Sequence, residues 1–200
     1  MAKRIRRNYS IYIAPQITGF YDNNGNAKAF DEKNEIELDP NNINDKISIY
    51  ERQVQEWFLN RATELAKKRN TGFLVLMICL SYLEGIEQYI QGQTSNGHSR
   101  EFFRNSMHRI YPMRFRNEDL NNFYSEARCG LFHNGMVNGK ILINRTFNNS
   151  VNIPDRDTIQ INPKRFLTDI KKDFKKYLVI LRNVENHLER NNFDQMFSNI

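Results

Sequence analysis

An arginine and a histidine five residues apart, Arg128 and His133, lie near the end of a helical stretch reading YSEARCGLFHNG. Arginine offers an always-charged planar fork that matches phosphate oxygens, and histidine exchanges a proton near neutral pH. The two suit phosphoryl chemistry, one holding an anionic centre as charge builds and the other moving a proton. Five residues of α-helix turn through roughly 140°. The pair therefore shares no face, and one helix cannot close both side chains on a small ligand, whereas two copies facing each other can. His133 also sits in the last turn, where the helix dipole favours the imidazolium form. The plain alternative is that both are capping charges at a helix C-terminus.

A second set of cations occupies the segment 100–116. Arg100, Arg104, Arg109, Arg114 and Arg116 are interleaved with Phe103, Tyr111 and Phe115 and opposed there only by Glu101. Such a pattern can track a phosphate backbone while a ring stacks on a base, although the rings equally suit a core. Lys3, Arg4, Arg6 and Arg7 add charge at the start, and the formal net charge is +6. That balance favours a nucleic-acid or other polyanionic partner through counterion release. Lys171, Lys172, Lys175 and Lys176 read as a solvated helix face, His187 as surface, and His98 and His108 carry no assigned role. No P-loop, dinucleotide fingerprint, HExxH or paired-cysteine metal motif is present, so neither metal nor cofactor is expected.

Cys79 and Cys129 are too few for a secreted disulfide framework and suit a reducing compartment. Cys129 is a poor nucleophile because Glu126, three residues back, disfavours a thiolate. The most apolar run, 73–83, is about half the ~20 residues of a membrane span, and the first residues lack the apolar core of a signal peptide. The expectation is a cytoplasmic protein without membrane contact.

Positioning these residues falls to a chain that changes character near residue 45. YSIYIAPQITGFY, a turn at Asn24-Gly25 and NAKAF read as a β-hairpin, followed by the polar connector DEKNEIELDPNNIND. The first helix is capped by Asp45 or by a Ser48–Glu51 box, and buries Val54, Trp57, Phe58, Leu65 and Ala66. GFLVLMICLSYLEGIEQYIQ follows, apolar all round in its first half like an enclosed helix. Ser99 caps a third helix that carries Phe102, Phe103, Met107 and Ile110 and stops at Tyr111-Pro112. A fourth is capped by Asn117, buries Leu120, Phe123, Tyr124, Ala127 and Leu131, and ends at Asn134-Gly135. MVNGKILIN reads as a hairpin around Asn138-Gly139, and DTIQI as a further strand. Asn162-Pro163 opens a long last helix with Phe166, Ile170, Phe174, Tyr177, Leu181, Val184 and Leu188 along one side. The fold expected is mainly α, a bundle of about five helices over residues 46–192. A small β-hairpin is inserted in it, and a β-hairpin extension with its connector covers residues 1–45.

The string YSEARCGLFHNG on the penultimate helix, with a buried second helix and a closing helix that begins NPKRFLTDI, resembles the Arg-x4-6-His signature of the HEPN superfamily over roughly residues 46–190. The resemblance implies a HEPN-like helical bundle that forms a homodimer and cleaves RNA without metal at a composite site. Arg128 would be the phosphate clamp and His133 the acid/base, as a ribose 2′-hydroxyl attacks the adjacent phosphate. HEPN sites can include an acidic residue from the second helix, which makes Glu84 the partner of Arg128 and leaves Glu87 where that helix reaches solvent. One departure stands out: active members usually carry a polar residue directly after the arginine, and here it is Cys129. The alternative is a non-catalytic RNA- or protein-binding module, including a toxin–antitoxin or phage-defence component held in check by a partner protein.

Overall fold

β-Branched and aromatic residues mixed with polar ones suit strands covered on one face. The computed structural model describes residues 10–198, except 135 and 138 and the side chains of 132–134. Its N-terminal part is not one hairpin but a four-stranded antiparallel meander, β1 (Ile11–Ala14), β2 (Ile17–Tyr21), β3 (Ala27–Asp31) and β4 (Ile36–Leu38). The Asn24-Gly25 turn joins β2 to β3, with Gly25 at φ 83°. The segment expected to be a connector contributes β4, where Leu38 pairs with Ala29 and is buried. Lys3, Arg4, Arg6 and Arg7 lie outside the described residues.

Ala14, Ile17, Ala29 and Leu38 close around Ile49 of the first helix. Arg52 donates to Asp31 at 2.8 Å and Gln53 to the Ile13 carbonyl at 2.7 Å, which ties the sheet to that helix. This helix, α1 (Ile43–Arg52), is capped by Asn42, whose side-chain oxygen accepts from the N–H groups of Asn44 and Asp45. Neither Asp45 nor Ser48–Glu51 caps it. It continues through a π-helical segment, Gln53–Leu59, into α2 (Asn60–Lys67). Ile47, Tyr50, Val54, Leu59, Ala62 and Ala66 face the core. The widest step among them, Val54 to Leu59, spans the π turn, whose N–H groups bond five residues back. That extra residue carries Trp57 and Phe58, expected on the apolar face, out to the surface at 46% exposure each.

α3 (Gly72–Gln91) is the central helix. By length and composition it passes for a membrane span, being longer than the 73–83 run suggests. Here Val75, Leu76, Cys79, Leu80, Leu83 and Ile86 are enclosed by neighbouring helices, as in a core helix. α4 (Ser99–Ile110) stops at Tyr111, before Pro112. α5 (Asn117–Phe123) runs directly into a second π-helical segment, Tyr124–Asn134, and Leu120, Phe123, Tyr124, Ala127 and Leu131 form its buried side.

β5 (Ile141–Ile143) does not belong to a local hairpin. It pairs in parallel with β7 (Thr158–Ile161), which pairs antiparallel with β6 (Val151–Asp155); Asn138 of the expected turn lies outside the described residues. The long last helix is two. α6 (Pro163–Arg182), capped by Asn162 with Pro163 in its first turn, ends at Arg182, and α7 (His187–Ser198) follows, burying Phe193 and Met196. Val184 and Leu188, expected on the buried stripe, are exposed in and after the turn. The architecture is thus α+β, with sheets of four and three strands beside the helices. This corrects the mainly α HEPN-like bundle with two hairpins. Two short strands, β4 and β5, find partners that local turn signals do not announce, one of them across a parallel crossover.

Candidate functional site

Glu84 lies where the apolar half of α3 ends, and its carboxylate is fully engaged. Oε1 accepts from the Ser95 and Ser99 hydroxyls at 2.8 and 2.7 Å, and Oε2 accepts from Nε and Nη2 of Arg128 at 3.2 and 3.0 Å. The α3–α4 turn delivers the serines: Gly92 ends α3 in the left-handed conformation at φ 68°, and Ser99 opens α4. The Glu84 and Arg128 side chains are 14% and 23% exposed, so the pair sits at the rim of the core. Burial pushes the Glu84 carboxyl upward, but the Ser99 and Ser95 hydroxyls together with Arg128 outweigh it and hold it below its ordinary range.

The Arg128 guanidinium lies 5.8 Å from the centroid of the Tyr124 ring, and that of Arg100 lies 5.7 Å from the same ring. Burial raises the Tyr124 phenol, with Arg128 acting the other way. Beside them opens a dish of about 500 Å³ lined by His98, Ser99, Arg100, Glu101, Arg104 and Tyr124, with Gly97 at its edge. Arg104 is steadied by a 3.4 Å bond to Asn121, and His98 Nδ1 stands 3.3 Å from Glu101.

No family model, curated protein or solved structure matches this chain. The site therefore rests on its own geometry.

The backbone changes the relation between Arg128 and His133. Both positions lie in the π-helical segment. Where N–H groups bond five residues back, positions i and i+5 stand one turn apart, one above the other. The 140° separation expected of an α-helix is removed, and one copy of this helix can present both positions to the same side. The His133 side chain is outside the described part of the structure.

The other arginines of segment 100–116 scatter. Arg109 points inward, donating to Asp173 at 3.0 and 3.1 Å, to Ser106 at 3.1 Å and to Glu87. Its expected place on a nucleic-acid surface is corrected, and so is the solvent position expected for Glu87, which is buried. The cause is shared: two carboxylates, Glu87 and Asp173, enter the core from α3 and α6 and need a counter-charge that α4 supplies. Arg114 lies over Tyr111 and Phe115 and donates to the Val151 carbonyl at 2.8 Å, which locks the β6 end to the chain after α4. Arg116 pairs with Asp119 across the start of α5. Of the five, Arg100 and Arg104 stay beside Arg128.

Ser95 and Ser99 were legible only as loop and cap residues. Their i, i+4 spacing across a helix start is the signal that two hydroxyls can reach one acceptor. Cys129 is partly buried, and burial raises the thiol of the core residue Cys79. Among the described residues no group of three or more His, Cys, Asp or Glu side chains is placed to hold a metal ion.

Proposed function

We propose that this chain acts on RNA, cleaving the strand without a metal at the Arg128 site. The observation that supports this reading is the convergence of cations: Glu84, fixed by two serines, holds Arg128 against Tyr124, with Arg100 on the same ring and Arg104 in the adjoining dish. A phosphodiester seated there meets guanidinium groups where charge builds on its oxygens. His133 takes the proton of the ribose 2′-hydroxyl as that oxygen attacks the phosphorus, and the P–O5′ bond breaks with the 5′-oxygen taking a proton from water, giving a 2′,3′-cyclic phosphate and a 5′-hydroxyl end. The HEPN resemblance of the Arg128–His133 string adds a cytoplasmic homodimer to this proposal. With both positions on one side of a π-helix, a second copy widens the basic surface and is not required to complete the pair.

The test is cleavage of mixed RNAs by the purified chain in EDTA, comparing wild type with His133→Ala and Arg128→Ala. Both variants should lose at least 100-fold in rate, in line with removal of an acid/base or a charge-stabilising group. Activity that survives His133→Ala, or that chelation abolishes, refutes the proposal. Cys129, standing where active members of the resembled group carry a polar residue, favours a second reading in which the site binds RNA without cutting it. Salt-sensitive binding with no product in the same assay would establish that instead.

A further inference from the structure

A second concentration of cations lies on α6. That helix, PKRFLTDIKKDFKKYLVILR, carries two acids, and internal partners occupy both. Asp169 accepts from the hydroxyls of Tyr111 and Ser150, and Asp173 accepts from Tyr82 and Arg109. Lys164, Arg165, Lys172, Lys175 and Lys176 are exposed, and among the described residues none of them takes part in an ion pair. Charge is thus segregated across a single helix, carboxylates engaged inside and cations outside with no ion pair among the described residues. A surface selected only for solubility intersperses the two signs.

The ridge is long enough to meet a polymer. From Lys164 to Lys176 the helix rises about 18 Å, with one pair of cations at its start and three more after a gap of about 10 Å, all on its outer face. Clefts lie along both sides. One, of about 650 Å³, has Lys172 and Lys176 on its edge and Tyr111 in an otherwise mostly aliphatic wall, with Asp169 and Asp173, both engaged by internal donors, and Glu189 of α7 also in its lining. The other, of about 460 Å³, sets Lys172 and Lys175 opposite Gln55 and Asn60 of the first long helix, with Thr168 between. Amide and hydroxyl groups beside a cationic ridge are the groups that contact sugar and phosphate, and an apolar cleft with a tyrosine accepts a base. A flat anionic bilayer would touch the ridge and leave both clefts unused, so the relief favours a flexible polyanion.

We propose that the α6 ridge of Lys164, Arg165, Lys172, Lys175 and Lys176 is a binding track for single-stranded nucleic acid, separate from the Arg128 site. It draws on the RNA-acting reading only in naming RNA as the strand. The full chain is titrated into a labelled single-stranded RNA in EDTA, and affinity is followed by fluorescence anisotropy against salt. Five phosphate contacts give a slope of log K on log salt of about −3.5, and the triple variant Lys172→Gln, Lys175→Gln, Lys176→Gln brings it to about −1.4. At low salt the triple variant should bind at least tenfold more weakly, while Arg61→Gln, which removes an exposed cation of α2 paired with Glu64, keeps the wild-type slope. An unchanged slope in the triple variant overturns the track. So does a triple variant that loses binding to phosphatidylserine vesicles yet keeps its affinity for RNA. Wild-type chain that shows the steep α6-dependent slope and makes no product sustains the track and overturns cleavage alone.

Discussion

Replacing Arg109 by methionine removes the one cation that the structure places between Glu87 and Asp173. Those carboxylates belong to residues 4% and 7% exposed, and Arg109 reaches Asp173 through two bonds of 3.0 and 3.1 Å as well as contacting Glu87. Breaking a buried ion pair from one side costs about 3–5 kcal/mol, because the stranded charge has neither water nor a partner. The Arg109 side chain is 30% exposed, so water relieves part of the penalty, and about 3 kcal/mol is the working figure. In a chain of this size each kcal/mol moves the melting temperature by about 2–4 °C, which gives a loss of about 6–12 °C for Arg109→Met. Thermal melts followed by circular dichroism measure it. Adding Glu87→Gln and Asp173→Asn to the same chain removes the stranded charges and should recover at least half of the loss. A single variant that melts within 2 °C of wild type, or a triple variant no more stable than the single, refutes the reasoning.

Other perturbations check other parts of the structure. The Glu84 carboxyl is held below its ordinary 4.5, so its charge adds stability above pH 4.5 that is lost as pH falls through the depressed folded value. The melting-temperature advantage of wild type over Glu84→Gln should therefore be flat near neutrality and shrink in acid; an advantage that grows on acidification contradicts the pairing. Asn162→Ala removes the α6 cap and the side-chain bonds to the carbonyls of Arg145 and Phe147, both 2.8 Å, and should cost about 2–4 kcal/mol in urea unfolding. A cost below 1 kcal/mol would show those bonds to be replaceable. Trp57 is the only tryptophan and sits outside the core because of the π turn, so acrylamide should quench native fluorescence nearly as well as unfolded. Strong protection would mean that the helix keeps α geometry through residues 53–59.

The helices were legible because their signals are local. The apolar run of α3, the proline after Tyr111, and the Asn162-Pro163 start each act on the residues beside them, and each lies where the sequence puts it. The π turns were not legible. An extra residue in a helical turn leaves composition unchanged and shows only as a five-residue step between buried positions, which resembles a helix with one imperfect face. The parallel pairing of β5 with β7 was hidden for the opposite reason, since the partner lies elsewhere in the chain, and β4 because its three residues sit in a polar stretch without a strong turn pair.

The sequence by itself determined which residues are equipped for chemistry: an arginine and a histidine in one helix, a glutamate after an apolar run, and a surplus of cations. Only the tertiary structure decided what each touches. It gave Glu84 to Arg128 and turned Arg109 into the counter-charge of a buried carboxylate pair. It left the lysines of α6 outside with no partner among the described ion pairs. A charged side chain is assigned by which desolvated charges it can reach, and that is a property of packing between distant segments, not of spacing along one.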